Sequence, residues 1–258
     1  MITSIHNPKI QWVRKLQSRS RERREAQAFV VEGVRLVEEA LHAGWQASLV
    51  LYEGGLDERG LKVVEGFAGQ GAAIEEVSPE VLQAASDTET PQGLLAVLAL
   101  RLLPLPERAD FVFIPDGVKD PGNLGSMLRT AASAGVDAVL LPEATVDVYA
   151  PKVLRAAMGA HFRLPIQALS WTEIRGLLER SGLHVYLADA GSGTSYTRAD
   201  FCLPLALVVG GEAQGASPFA VSLAMERVHI PMPGGMESLN VGIAAALLLF
   251  EVVRQRQA

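Results

Sequence analysis

The sequence predicts an α/β protein in two parts. A small α/β/α domain occupies residues 1–102, a linker residues 103–110, and a mainly parallel sheet with helices on both faces residues 111–258. Three observations carry that prediction. Continuous apolar runs alternate with helical patterns through the second half, which is how strands buried on both faces read. "LPLPERAD", residues 103 to 110, breaks all periodicity with two prolines and ends in charge. Glycine-bearing loops follow several apolar runs, at the carboxyl ends of strands, where parallel sheets place their ligands.

Taken in order, Asn7-Pro8 places an N-cap before a first-turn proline and opens a basic helix running to about Ala26. A second helix, roughly Gly33 to Ala43, sets Leu36, Val37, Ala40 and Leu41 on one face. "SLVLYE", "AAIEEVS" and "GLLAVLAL" read as strands, with "ERGLKVVEGFAG" and "PEVLQAAS" as helices among them. Beyond the linker the strands are "FVFIPD", "AVLLPE", "FRLPI", "HVYLAD", "LALVVGG" and "VHIPM". The helices between them are Leu124 to Ala134, "PKVLRAAMGA" and "WTEIRGLLERSG", and an apolar helix closes the chain.

Composition narrows the function classes. A hydrophobic content of 49% excludes disorder. The longest apolar run, Val241 to Phe250, is too short to span a bilayer, and the first residues lack the charge-then-apolar order of a signal peptide. One cysteine, Cys202, excludes a disulfide framework and Cys-rich zinc sites, and five scattered histidines outside HExxH spacing argue against a catalytic metal. The expectation is a soluble cytoplasmic protein without metal. Net charge is −6, yet residues 1–35 hold eight basic groups against three acidic ones, leaving −11 for the remainder. Seven of those groups crowd into residues 9 to 24: Lys9, Arg14, Lys15, Arg19, Arg21, Arg23 and Arg24. Such a cluster is either a phosphate footprint or a solvated helix face.

Three loops carry candidate chemistry. In "DGVKDPGNLGSMLRTAASAG", Asn123 reads as the N-cap of a helix stopped by Gly135, with Leu124, Leu128, Ala131 and Ala132 facing the core. Ser126, Arg129 and Ser133 form a separate polar stripe, and Arg129 lies roughly 9 Å along the axis from Asn123. Gly117, Gly122 and Gly125 clear the loop of side chains, but neither GxGxxG nor GxxxxGK[ST] is present. In "LVVGGEAQGASP", Gly210-Gly211 lets backbone meet a small ligand, Glu212 is a candidate orienting carboxylate, and Ser217-Pro218 restarts a helix. In "IPMPGGMESLN", Ile230 and Met232 finish a strand, Gly234-Gly235 turns, and Ser238 caps a helix from about Leu239. That leaves Asn240 as a mediocre helix former in its first turn.

In that order, "NLGSMLRTA", "VVGGEAQG" and "IPMPGGMESLN" closely resemble the three motifs of the SpoU (TrmH-like) ribose 2′-O-methyltransferases of the SPOUT superfamily, over about residues 111 to 257. "NPKI", the Arg-rich run and "FVVEGVRLVEEAL" resemble the RNA-binding domain of that family's ribosomal-RNA branch. The resemblance implies a C-terminal trefoil knot, S-adenosylmethionine as cofactor, a homodimer, and methylation of a ribose 2′-hydroxyl in RNA, most often ribosomal RNA. It implies Gly210, Gly211, Ile230, Met232 and Leu239 around the cofactor. Arg129 is implied as the catalytic arginine, with Asn123, Glu212, Ser238 and Asn240 positioning it, the substrate or the cofactor, and the basic N-terminus as the RNA-binding surface. A free guanidinium is protonated at neutral pH. So Arg129 either works with a neighbouring RNA phosphate or anchors that phosphate and polarises the hydroxyl. Val241-Gly242 follows Asn240 where many relatives have Val-Ser.

The rival readings are a transfer-RNA ribose methyltransferase and a non-catalytic RNA-binding or ribosome-assembly protein on the same fold. Base methylation by a related branch and a nucleotide-dependent metabolic enzyme stand further off. The full set of Asn123, Arg129, Glu212, Ser238 and Asn240 disfavours the non-catalytic reading, and the missing phosphate fingerprints disfavour the metabolic one.

Overall fold

Asn7 caps α1 (Pro8–Ser18) with its side chain, accepting from the Lys9 backbone N–H at 2.9 Å, and Pro8 sits where its missing N–H costs nothing. The expected single basic helix breaks at Arg19, which is extended, and resumes as α2 (Ser20–Ala26). The break has a local cause. The last carbonyls of α1, on Leu16 and Gln17, accept from the Arg23 guanidinium of α2 at 2.5 and 3.1 Å rather than from a continuing helix. These are features of a computed structural model that describes residues 1–212 and 215–257.

The chain divides into two compact units: Met1–Arg101 with Asp147–Phe162, and Leu102–Val146 with Arg163–Ala258. In the first unit, β1 (Ala28–Glu32) follows α2 directly, a strand the sequence pattern did not disclose. Then come α3 (Val34–His42), β2 (Ala47–Glu53), α4 (Glu58–Gly69), β3 (Ala73–Val77), α5 (Pro79–Ala85) and β4 (Leu94–Ala99). The sheet order is β1-β4-β2-β3, with β4 antiparallel to both neighbours and β2 parallel to β3. Alternation along β1 feeds two cores. Phe29 and Val31 join Trp45, Val63 and Phe67 under α3 and α4, while Ala28 and Val30 join Ile10, Leu16, Val81 and Leu82 under α1 and α5.

The second unit contains β5 (Phe111–Asp116), α6 (Pro121–Ser133) and β6 (Ala138–Leu141). The chain then enters the first unit through α7 (Pro151–Ala157). It returns as β7 (Ile166–Ala168), α8 (Trp171–Ser181), β8 (His184–Ala188), the two-residue β9 (Thr194–Ser195), β10 (Leu205–Gly210), α9 (Pro218–Leu223), β11 (Glu226–His229) and α10 (Val241–Arg256). "FRLPI" and "VHIPM" yield shorter strands than their apolar runs suggest. Phe162 ends a 3-10 turn, and Ile230 and Met232 lie beyond β11 rather than finishing it. The sheet order is β7-β6-β5-β10-β8-β11-β9 and every pairing is parallel. Val112, Ile114, Ala206 and Val208 face α8 on one side. On the other side α6 packs on β5, and α10 packs on α6 and β10. Asp116 pairs in register with Gly210, so the loops after β5 and β10 leave the sheet side by side where strand order reverses.

Candidate active site

The glycines after β10 answer to backbone crowding. A Cβ on Gly210 would stand 2.4 Å from the Ala216 nitrogen, and one on Gly211 would stand 2.6 Å from the Gly117 carbonyl oxygen. A side chain on Gly211 would push the loops after β5 and β10 apart, and one on Gly210 would strike the return of its own loop, so both glycines serve backbone packing as well as an open ligand side. Asp116, buried at the end of β5, locks the same junction by accepting from the Ser217 backbone N–H at 2.6 Å. Ala213 and Gln214 of this motif lie outside the described residues.

Three motif residues form a directed hydrogen-bond chain. Asn240 donates from its amide nitrogen to the Asn123 side-chain oxygen at 3.0 Å, and Asn123 donates to Glu212 Oε1 at 2.8 Å. A carboxylate only accepts, so Glu212 dictates which way the Asn123 amide points, and Asn123 dictates Asn240. The remaining Asn240 oxygen caps α10, accepting from Gly242 and Ile243 at 2.9 and 3.2 Å. Asn240 is therefore the N-cap of α10, which starts at Val241; Ser238 is not the cap. Asn123 is likewise not the cap of α6. Asp120 holds that place, accepting from the Asn123 N–H at 2.8 Å, and the helix begins at Pro121. Burial pushes the Glu212 carboxyl up, but hydrogen bonds from Asn123 and from nearby backbone outweigh it and leave the group below the usual carboxylate range.

Beside this chain lies a cavity of about 530 Å³, a size suited to a small ligand. Gly210, Gly211, Ile230, Met232 and Leu239 all line it, as do Glu212, Ser238 and Asn240. Asn123 reaches it only through its two hydrogen bonds. Two titratable lining residues escaped the sequence reading: Asp189 and His229. Asp189 accepts from Gly191 N–H and Ser192 Oγ, each at 2.9 Å, and from Arg227 at 3.0 Å. Its carboxyl lies below the ordinary range, first through the Gly191 bond. The signal was available, since "HVYLADAGSG" is one more strand ending in a glycine-rich loop. Arg129 is not brought to the cavity. It is exposed on α6, and its guanidinium makes no hydrogen bond or ion pair among the described residues.

The basic N-terminal residues separate into two kinds. Arg14, Lys15, Arg19, Arg21 and Arg24 are exposed, with Arg21 paired to Glu25 at 2.6 Å, and Lys9 pairs with Glu75. Arg23 departs from the expected RNA-binding surface. It is 5% exposed, and its guanidinium spends four of its five N–H donors on Asp147, at 2.9 and 2.5 Å, and the two α1 carbonyls, leaving little to offer a phosphate. Among the described residues no cluster of three His, Cys, Asp or Glu could hold a metal, and no helix is long and apolar enough to cross a membrane.

An all-parallel sheet with a cavity at its carboxyl edge, lined by glycine backbone, apolar side chains and two carboxylates and closed by the start of a C-terminal helix, defines the class: an α/β protein with a small-ligand site at its strand ends. The chain belongs to the SpoU rRNA Methylase family, whose model matches residues 110–250, while residues 7–96 match the MRM3-like substrate binding domain. It is 34% identical to the 23S rRNA (guanosine(2553)-2′-O)-methyltransferase RlmP of Bacillus subtilis, over 97% of this chain and 98% of that protein. Among solved structures it resembles an AdoMet-bound rRNA methyltransferase from Sinorhizobium meliloti, at 28% identity and TM-score 0.89, covering 98% of this chain and 97% of that one. The SpoU methyltransferase AviRb from Streptomyces viridochromogenes, in complex with AdoMet, is alike at 28% identity and TM-score 0.89, covering 98% of this chain and 99% of that one.

Proposed function

We infer that this protein transfers the methyl group of S-adenosylmethionine to the 2′-hydroxyl of a ribose in ribosomal RNA. The observation that carries this reading is the cavity at the strand ends, where all three motifs meet through the Asn240–Asn123–Glu212 chain. Ribosomal rather than transfer RNA is favoured by the substrate-binding match over residues 7–96 and by relatives named for rRNA. Residues 1–102 then capture RNA and residues 111–258 carry the chemistry, joined by 103–110. The bacterial relative, alike over nearly its whole length, favours the cytoplasm as the place of work.

The cavity fits the cofactor. Val209, Val228, Leu239 and Leu248 offer apolar walls for a base, Gly210, Gly211 and Gly215 offer bare backbone, and Asp189 and Glu212 offer carboxylates for hydroxyl or cationic groups. When bound, S-adenosylmethionine supplies an electrophilic methyl. The protein's task is to hold the ribose hydroxyl in line with that methyl and to ease loss of its proton. Asn123 and Asn240 keep Glu212 in one orientation, and Ser238 stands at the cavity rim as a hydroxyl donor and acceptor. Arg129, exposed outside the cavity and unpaired among the described residues, anchors an RNA phosphate. We further assign the apolar stripe Ile243, Leu247 and Phe250, exposed along α10, to a homodimer interface, and propose that the C-terminal segment forms the trefoil knot that the resemblance implies.

Incubation with methyl-labelled S-adenosylmethionine and, separately, unmodified ribosomal and transfer RNA tests this reading. Label is expected on ribose 2′-oxygens of ribosomal RNA. Arg129→Ala is expected to lower transfer by about 10³-fold while sparing cofactor binding. Unchanged turnover in that variant would remove Arg129 from the mechanism, and failure to bind the cofactor would end the reading altogether.

A further inference from the structure

A second cleft, of about 410 Å³, lies in the first unit between the end of α1 and the end of α5. Arg14, Lys15 and Arg19 stand on its α1 side, Gln17 on its floor, and Ser86 and Asp87 opposite. Arg14 and Lys15 are exposed and make no ion pair among the described residues; Arg19 stands 3.9 Å from Glu22. The acid in the cleft, Asp87, is neutralised by Arg155 at 2.8 Å, so the local balance is positive.

The floor carries an unmet demand. Gln17 is 8% exposed, yet its side-chain oxygen is buried with no hydrogen-bond partner, and its nitrogen reaches only the Ala85 carbonyl at 3.5 Å. A buried amide with one orphaned acceptor and one overlong bond is destabilised where it is. Turning its oxygen into the cleft sacrifices one poor contact and satisfies that acceptor if a ligand donates. The same turn frees the Ala85 carbonyl at the end of α5 as a further acceptor. The cleft thus offers cations for a phosphate beside acceptors for an N–H or O–H donor, which is the pattern of a nucleotide.

We propose that this cleft is a docking subsite for one unpaired RNA nucleotide, its phosphate on Arg14, Lys15 and Arg19 and its base or 2′-hydroxyl donor on the turned Gln17 amide. A base must be unstacked to enter a cleft of this size, so the subsite selects single-stranded over duplex RNA. The proposal rests on the reading of the protein as an RNA methyltransferase and deepens it.

The test uses the full chain, a fluorescein-labelled mixed-sequence single-stranded RNA, its duplex, and inorganic phosphate as competitor. Replacing Arg14 and Lys15 together by Ser is expected to weaken single-strand binding about tenfold and to flatten its salt dependence by roughly 0.7 per lost phosphate contact. Gln17→Leu is expected to weaken binding about fivefold with the salt slope unchanged, because it removes a hydrogen bond and no charge. The urea-unfolding midpoint serves as the folding control, because the cleft and the cofactor cavity lie in different units; if Gln17→Leu fails it, the Arg14 and Lys15 variant decides. Unchanged single-strand affinity in these variants overturns the proposal, as does equal affinity for the duplex. Full displacement of the strand by millimolar phosphate would reduce the cleft to an anion site and overturn it too. Methyl transfer by the unaltered protein is measured separately. Transfer with unaffected variants defeats the subsite alone, whereas affected binding without any transfer defeats the functional reading alone.

Discussion

In the seven-stranded sheet every strand points the same way, so the loops that follow β8, β10 and β11 all emerge at one edge and line one cavity. In the four-stranded sheet β4 runs against both of its neighbours, its loops leave by both ends, and its charged groups collect on helices α1 and α2. Each sheet also brings together polar groups far apart in sequence, and the two sets behave differently. Arg23 and Asp147, 124 positions apart, form a largely buried ion pair that closes a core. Glu212, Asn123 and Asn240 form a chain left open to a cavity. A parallel sheet concentrates chemistry at one edge, whereas the mixed sheet uses its long-range polar contact for cohesion. Each prediction below tests one side of that division.

The largest expected effect falls on cohesion. Arg23→Ala removes four hydrogen bonds and leaves Asp147 partly buried without its cation, a change that costs about 3–5 kcal/mol where such pairs are broken on one side. Urea unfolding of the full chain should show a large drop in midpoint. Arg23→Lys should fall between, since an ammonium cannot reach both Asp147 and the α1 carbonyls in one geometry. A normal midpoint with weakened RNA binding would mean that Arg23 serves RNA after all.

Next is an acid limb in the same unit. His161 is buried, and because a carbonyl can only accept, its Nε2 must carry the proton that it donates to the Val148 oxygen at 2.8 Å. Nδ1 is then a bare acceptor, buried without a partner, and burial pushes the imidazole down to about 4. A group whose native pKa lies below its unfolded value binds its proton first in the unfolded chain, so stability falls as pH drops from about 6.5 towards 4. The loss amounts to about 3 kcal/mol across that window. His161→Gln keeps a donor for Val148 and should flatten the limb. An equally steep decline in that variant would place the titrating group elsewhere.

How far this was legible follows the same division. Parallel strands announce themselves because each is a continuous apolar run, and the motif residues of the cavity stand beside glycines that punctuate those runs. The pattern alone gave loops at strand ends; Gly210, Gly211, Ile230, Met232 and Leu239 could be named together because their motifs resemble those of a known family. The caps were misassigned because Asn123, Ser238 and Asn240 are all good capping residues within a turn of the right place, and only backbone geometry separates a cap from a first-turn residue. Arg23 was illegible for a different reason. Its burial depends on Asp147, and no local pattern links α2 to a segment 124 positions away. The strand β1 stayed hidden because it is five residues long and abuts a charged helix without a turn signal.

The smallest expected effect on stability falls on the cavity side, and Asn240 isolates it. Asn240→Ala removes the cap of α10 and should cost about 1 kcal/mol. Asn240→Asp should keep the cap, because a carboxylate oxygen accepts from Gly242 and Ile243 as the amide does. It cannot donate to Asn123, however, and presents an oxygen to an oxygen. Asn123 must then turn its amide nitrogen towards residue 240, which strips Glu212 of the Asn123 donor and raises the Glu212 carboxyl towards its ordinary range. The two variants therefore part company. The alanine variant should lose stability and methyl transfer together, and the aspartate variant should lose transfer at nearly native stability. If both track stability alone, the polar chain is a helix cap with two passengers, and the contrast between the open network and the buried ion pair disappears.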